Sequence, residues 1–396
     1  MNSQQWIAKG DKYIMKTYGR YPLVPVRGEG CYLWDADGKR YLDFLAGVAV
    51  NNLGHCHPKV VAALQKQAAE LIHCSNYYHI PTQIELAELL CNNSFADRAF
   101  FCNSGAEANE AAIKLARKYS REKFGPERYQ IITAISSFHG RTMATVSATG
   151  QEKVQKFFDP LLHGFVHVPF NDADALRQAV TPATCAIMLE PIQGEGGVVV
   201  PDAEYFRQVR QICDDNNLLL IFDEVQVGIG RTGKLFAHEH FGVTPDIMTL
   251  AKALAGGAPI GTMLAKEELA ESFGPGTHGS TFGGNPLVTA AGVAAIRTIL
   301  EEGILNHAEE IGEYLVGELE GLKRKFPVIT EVRGIGLMIG AELSIPGGEI
   351  VKKALERGVL LNVTHDSVLR FVPPLIVGKK EVDEMIGILA GILAEI

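Results

Sequence analysis

The chain has 396 residues, 47% of them hydrophobic and 21% charged, with a formal net charge of −9 at pH 7. That balance supports packed cores in two or three domains, and it argues against a nucleic-acid partner, which needs clustered Lys and Arg. The opening MNSQQWIAKGDKYIMKTYGR has no apolar secretory segment, and no stretch approaches the ~18 apolar residues of a membrane helix.

In chain order, WDADGKRYLDF (34–44) predicts a hairpin around its D-G turn. PKVVAALQKQAAELIH from Pro58 and TQIELAELLCNN predict helices, RAFFCNS predicts a short strand, and 106–121 predicts a further helix. Four apolar runs follow: YQIITAI (129–135), CAIMLE (185–190), LLLIFDE (218–224) and DIMTLAK (246–252). They suit strands buried on both faces, so the expected class is α/β with a largely parallel sheet. Three of these runs end at Glu190, Asp223 or Lys252, and the fourth leads into Ser136, Phe138 and His139. Ligands of open α/β sheets bind beyond the carboxyl ends of the strands, so one shared site is expected there.

After Asn285 the texture changes. LVTAAGVAAIRTILEEG begins a long helix, charged helices run to about 325, and strands are expected near 335–342 and 368–372. The closing MIGILAGILAEI reads as a packed or amphipathic helix. The expected division is an N-terminal segment, 1–57, packing with a small α+β domain, 286–396, beside a large domain, 58–285. Seven cysteines are scattered along the chain with no C-x-x-C pair. They read as thiols of a reducing compartment, which makes the cytoplasm the expected location.

Two motifs suggest phosphate loops and lack the context. GIGRTG (228–233) matches G-x-G-x-x-G, but EVQV separates it from its strand and KLFAHEHFG is a poor helix start. Extended to Lys234 it matches G-x-x-x-x-G-K, yet Leu235 stands where Ser or Thr would hold magnesium. A flexible loop near the site is the expectation for 228–234. HCHP (55–58) offers two imidazoles, but a zinc site needs more ligands than lie nearby. A turn before the next helix is the simpler reading, and no metal is expected.

Three weak signals remain. Asn103, Ser104 and Gly105 precede a strong helix, where exposed N–H groups attract a phosphate, although Ser104 could equally be an ordinary N-cap. Asp223 closes a buried strand and needs a partner: an arginine, a helix end or a protonated pyridine nitrogen. Lys252, in LAKALAGGAPIG, either projects into water or sits among apolar neighbours that favour its neutral amine. Neighbouring parallel strands would bring Asp223 and Lys252 to one sheet edge. A phosphate cradle, a pyridinium partner and an amine are the fixtures that pyridoxal phosphate requires.

The motifs NNLGHCHP (51–58), NSGAEANEAAIK (103–114), SFHGRT (137–142), EPIQGEGG (190–197), FDEVQVGIGRTG (222–233), AKALAGGAPIG (251–261) and HGSTFGGNP (278–286) span nearly the whole chain. Together they resemble the class III aminotransferases of fold type I. The resemblance implies pyridoxal 5′-phosphate held covalently by Lys252, which also relays protons, with Asp223 on the pyridine nitrogen and Gln226 on the ring hydroxyl. It implies Ser104, Gly105 and Ala106 at the phosphate, Phe138 and Val225 on the two ring faces, and Glu224 among the cofactor contacts.

By the same resemblance, Arg141 and Arg370 bind substrate carboxylates, and Glu195 is an acidic gate over Arg370. Thr281 and Ser280 reach the neighbouring subunit's phosphate and substrate, which implies a homodimer with shared sites. The implied reaction moves the δ-amino group of N2-acetyl-L-ornithine to 2-oxoglutarate, giving N-acetyl-L-glutamate 5-semialdehyde and L-glutamate, a step of arginine biosynthesis. Ornithine, succinylornithine, 4-aminobutyrate and succinyldiaminopimelate are the alternative amines. Val48 stands where members acting on free ornithine carry a tyrosine, and its apolar side chain favours an N-acyl donor.

Overall fold

The computed structural model describes residues 1–396. Its centre is a seven-stranded sheet of β4 (Arg98–Cys102), β5 (Gln130–Ala134), β6 (Phe165–Val168), β7 (Thr184–Leu189), β8 (Leu219–Asp223), β9 (Ile247–Leu250) and β10 (Gly261–Ala265), in the order β4-β10-β9-β8-β7-β5-β6. β7, β9 and β10 are buried along their whole length. Helices cover both faces. Gly105–Phe124 lays Ala111, Ala112, Leu115 and Ala116 against one, and Tyr205–Asn216 lays Phe206, Val209 and Ile212 against the other.

The pairs β6–β5, β5–β7, β7–β8 and β8–β9 are parallel. β10 is antiparallel to both β4 and β9. The connection from Leu250 to Gly261 is too short for the crossover that a parallel return requires. β6 and β10 are not among the strands read from the sequence. FVHV is short, and GTMLA has the small residues of a turn rather than a β-branched run.

Two smaller sheets flank this one. The first joins β1 (Pro25–Glu29), β2 (Tyr32–Asp35) and β3 (Arg40–Asp43) to β13 (Val359–Leu360). β2 and β3 form the expected hairpin, pairing Trp34 with Arg40 around Gly38, whose φ of +88° suits glycine. β13 lies parallel to β3, so the N-terminal chain is stitched to the C-terminal region. The second sheet runs β11 (Ile329–Ile335), β12 (Met338–Leu343), β15 (Val368–Phe371) and β14 (Asn362–Thr364). Helices Pro286–Glu301, Ile304–Lys325 and Lys379–Leu393 share with these sheets a core that reaches from Cys31 to Leu393. No helix is long and apolar enough to cross a membrane.

Residues 228–233 are buried, not a flexible surface loop. Arg231 is fully buried without a carboxylate partner. Its Nη1 donates to Leu337 O at 3.0 Å and Pro373 O at 2.6 Å, and its Nη2 donates to Asn52 Oδ1. Asn52 answers through Nδ2 to Ile229 O at 2.7 Å. Burial pushes the guanidinium pKa down to about 9. The loop therefore ties three distant segments together from a buried position, and its Gly228, Gly230, Arg231 and Gly233 N–H groups are already bonded to backbone carbonyls. Arg231→Met leaves these buried acceptors without a donor and should lower stability by about 2–4 kcal/mol. Denaturant unfolding checks this, and unchanged stability would show that the guanidinium is dispensable.

Candidate active site

A cavity of about 390 Å³ opens at the carboxyl ends of β8 and β9, lined among others by Lys252, Asp223, Gln226, Phe138, Arg141 and Gly105. β8 and β9 pair Asp223 with Thr249, which sets Lys252 just past the same sheet edge. Lys252 begins a short 3-10 turn in a left-handed conformation, φ +40°. A non-glycine residue held there stores about 1–3 kcal/mol of strain. Its ammonium has no hydrogen-bond or ion-pair partner in the protein. Burial pushes its pKa down to about 8; Glu195 opposes the shift and Arg370 adds to it. The amine is thus poised as a nucleophile and proton carrier near neutral pH.

Asp223 is 3% exposed and held from three sides. Its Oδ2 accepts from Asn109 Nδ2 at 2.7 Å and faces His139 Nδ1 at 2.8 Å, while Oδ1 accepts from Val225 N–H at 3.0 Å. Thr249 Oγ1 donates to Asn109 Oδ1 at 2.6 Å and fixes that amide. Burial disfavours the His139 imidazolium, but the bond and charge of Asp223 outweigh it and the pKa rises. The result is a rigid carboxylate suited to a cationic ring nitrogen.

Opposite lies the start of helix Gly105–Phe124. Ser104 Oγ caps Glu107 N–H at 3.2 Å and donates to Glu107 Oε2 at 2.9 Å. The Gly105 and Ala106 N–H groups have no intrahelical acceptor and line the cavity. A Cβ at Gly105 would lie 2.6 Å from Val225 Cγ1, so only glycine lets this anion-attracting turn sit so close. Donors, carboxylate and unpaired amine fit pyridoxal phosphate. The Ser104 hydroxyl stands beside these N–H groups and bonds Glu107 in this structure.

Arg370, on β15, is 1% exposed and reaches the same place. Its Nη1 donates to Glu195 Oε1 at 2.6 Å and Gln226 Oε1 at 3.0 Å, and its Nε donates to Asn362 Oδ1 at 3.0 Å. Burial would raise the Glu195 pKa, but the Arg370 charge and bond overcome it and hold the group below the usual carboxylate range. Arg141 is exposed, with its guanidinium 5.3 Å from the Phe138 ring centroid. A buried arginine covered by a removable carboxylate can receive a substrate carboxylate in exchange.

Glu224 departs from its expected place among the cofactor contacts. Successive strand side chains point to opposite faces. With Asp223 turned to the cavity, Glu224 turns away and accepts from Ala237 N–H at 2.6 Å, His238 N–H at 2.8 Å and His238 Nδ1 at 2.8 Å. Ser280 and Thr281 line a separate surface depression with Asn76, Tyr77 and His278. Asn103 Nδ2 donates to Ser280 Oγ at 3.2 Å.

Val48 lies in a left-handed turn, with φ of +49°, +65°, +66° and +59° over Ala46–Ala49. Asp43 Oδ1 accepts from Leu45 and Ala46 N–H, each at 2.9 Å, and His55 Nε2 meets Asp43 Oδ2 at 2.7 Å. The HCHP motif therefore contributes an anchor for this strained turn. His139 stands at the strand end where the sequence places the site, whereas Asn109 and Thr249 are not among the residues read from the sequence. A polar Asn inside an alanine-rich helix is a propensity misfit, and that was the available signal.

The chain matches the family described as aminotransferase class-III over residues 13–393. An acetylornithine aminotransferase of Caldanaerobacter subterraneus is 58% identical over 97% of this chain and 98% of its own. One from Methanocaldococcus jannaschii is 55% identical over 100% of both. Among solved structures, ornithine aminotransferase from Toxoplasma gondii superposes with a TM-score of 0.95 at 34% identity, over 100% of this chain and 96% of that one. Acetylornithine aminotransferase from Elizabethkingia anophelis superposes with 0.89 at 35% identity, over 100% of both.

The depressed pKa makes Lys252 the first lysine to react as pH rises. Reductive capture of a small aldehyde by cofactor-free protein, mapped by peptide mass, should show a midpoint near 8 at Lys252. A midpoint at the ordinary lysine value would contradict the desolvated environment.

Proposed function

The chain belongs to the class-III aminotransferases, pyridoxal phosphate-dependent transaminases, and we propose that it moves the δ-amino group of N2-acetyl-L-ornithine to 2-oxoglutarate. The products are N-acetyl-L-glutamate 5-semialdehyde and L-glutamate, a step of arginine biosynthesis. The observation that carries this reading is the desolvated, unpaired Lys252 amine that shares a cavity with Asp223 and Gln226, the last of these bonded to a buried Arg370 that Glu195 covers. The donor follows from the acetylornithine aminotransferases to which the chain is similar over its full length.

Pyridoxal phosphate, when bound, supplies an electron sink to the carbon bearing the exchanged amine. Lys252 would hold it covalently through Nζ and afterwards carry the proton to and from that carbon. Asp223, braced by Asn109 and His139, would keep a proton on the ring nitrogen. Gln226 would bond the ring hydroxyl, Phe138 and Val225 would enclose the ring, and the Gly105 and Ala106 N–H groups would take the phosphate. Glu195 neutralises Arg370 while an ω-amine enters. It yields to the α-carboxylate of 2-oxoglutarate or glutamate, whose other carboxylate falls to Arg141.

The assembly belongs to the same proposal. Tyr77 lines the Ser280–Thr281 depression and is exposed, as are Tyr78 and Phe282 beside them in the chain. That supports a homodimer in which Thr281 and Ser280 serve the neighbouring subunit's site. The chain is assigned to the cytoplasm on its scattered free thiols. The β3–β13 pairing supports grouping 1–57 with 286–396 against the large domain 58–285.

Offered each amine with 2-oxoglutarate, the purified enzyme should show its highest kcat/KM with N2-acetyl-L-ornithine, and a clear preference for free ornithine would overturn the donor assignment. Lys252→Ala should abolish steady turnover while the protein stays folded, and near-normal activity would remove Lys252 from the mechanism. Val48→Tyr should shift the preference towards free ornithine, because a phenol there can meet an unacylated α-amine; an unchanged ratio would free Val48 of that role.

A further inference from the structure

The carboxylate of Glu190 has no part in the roles assigned above. It follows β7 at the cavity wall, 5% exposed. Its oxygens serve two different loops: Oε2 accepts from Phe138 N–H at 3.0 Å, and Oε1 accepts from Gly194 N–H at 3.2 Å. One loop carries the phenyl that faces the cavity. The other carries Glu195, the very next residue.

These loops are fitted closely. Gln193 Nε2 donates to Ile135 O at 2.9 Å. A Cβ at Gly196 would lie 2.9 Å from Ser136 O, and one at Gly194 would lie 2.4 Å from Gln226 Oε1. The segment 193–196 thus rests in a slot between the Phe138 loop and Gln226, and Thr364 Oγ1 donates to Glu195 O at 2.5 Å from the far side. Here each N–H group has its own oxygen of one carboxylate, so a single side chain ties the two loops together.

We propose that Glu190 is a positioning residue for the Glu195 gate: by bridging Phe138 and Gly194 it holds Glu195 against Arg370, and so sets how easily a dicarboxylate displaces it. The inference rests on the reading of Glu195 as a gate. Glutamine at 190 keeps the shape but turns one acceptor into an amino group facing an N–H donor, so one loop is released.

The test is a double-mutant cycle read by calorimetry of glutarate, an unreactive dicarboxylate, on the holoenzyme. It is paired with the kcat/KM of L-glutamate relative to N2-acetyl-L-ornithine. E195Q removes the competing charge and should tighten glutarate binding. E190Q should tighten it in the same direction, up to roughly tenfold, the scale of one charge-assisted hydrogen bond. In the E195Q background, E190Q should add nothing. E190D keeps both oxygens on a shorter arm; it should give a smaller shift of the same sign and carries the test if E190Q does not fold. An E195Q enzyme with unchanged glutarate affinity sinks the gate itself. A responsive E195Q enzyme, with E190Q and E190D silent or with E190Q equally effective in both backgrounds, sinks the role of Glu190 alone.

Discussion

A half-buried amine beside a fixed carboxylate is the constraint to which the rest of this molecule answers. An ammonium in that position is costly, and its pKa falls because burial outweighs the help it receives from Glu195. The protein tolerates the cost, and the left-handed backbone of Lys252, because β9 is fixed between parallel β8 and antiparallel β10 and leaves the residue few alternatives. The seven-stranded sheet, closed on both faces by helices, supplies that rigidity. β8 and β9 deliver Asp223 and Lys252 to one edge, and the first turn of the Gly105 helix delivers bare N–H groups to the same edge.

The charges around this amine are arranged so that each has a defined partner. His139 and Asn109 immobilise Asp223, and Thr249 immobilises Asn109. Glu195 and Gln226 share one nitrogen of Arg370. In a buried site such bonds are stronger than in water, and a missing partner is correspondingly expensive. Arg370 comes from β15 and Gln226 from the loop after β8, so the site needs the large and small sheets in register. Arg231 helps to set that register by bonding Pro373 O, two residues beyond β15, from the same loop that holds Gln226.

Features that depend on local pattern were legible in the sequence. The apolar runs ending at Asp223 and Lys252 marked buried strands, and the helix start at Ser104 was plain from its capping chemistry. The D-G hairpin followed from turn chemistry alone. Features that depend on distant partners were hidden. Arg231 bonds two carbonyls and an amide from segments far along the chain, and no local motif announces that. The resemblance implied Glu224 among the cofactor contacts, whereas its side chain turns to the face opposite Asp223 and bonds the 237–238 backbone. β10 was hidden because GTMLA has few β-branched residues, and its antiparallel direction is set by the short link behind it. The whole-chain motifs gave the family, and the geometry gave one of them an unforeseen task, the His55–Asp43 anchor of the turn that bears Val48.

The most direct measurement is chemical. Holoenzyme saturated with pyridoxal phosphate is reduced with borohydride, digested, and its labelled peptide sequenced by mass spectrometry. The desolvated amine predicts one phosphopyridoxyl label, on Lys252. A label on another lysine, or none on cofactor-saturated protein, would contradict the central claim that this amine binds the cofactor.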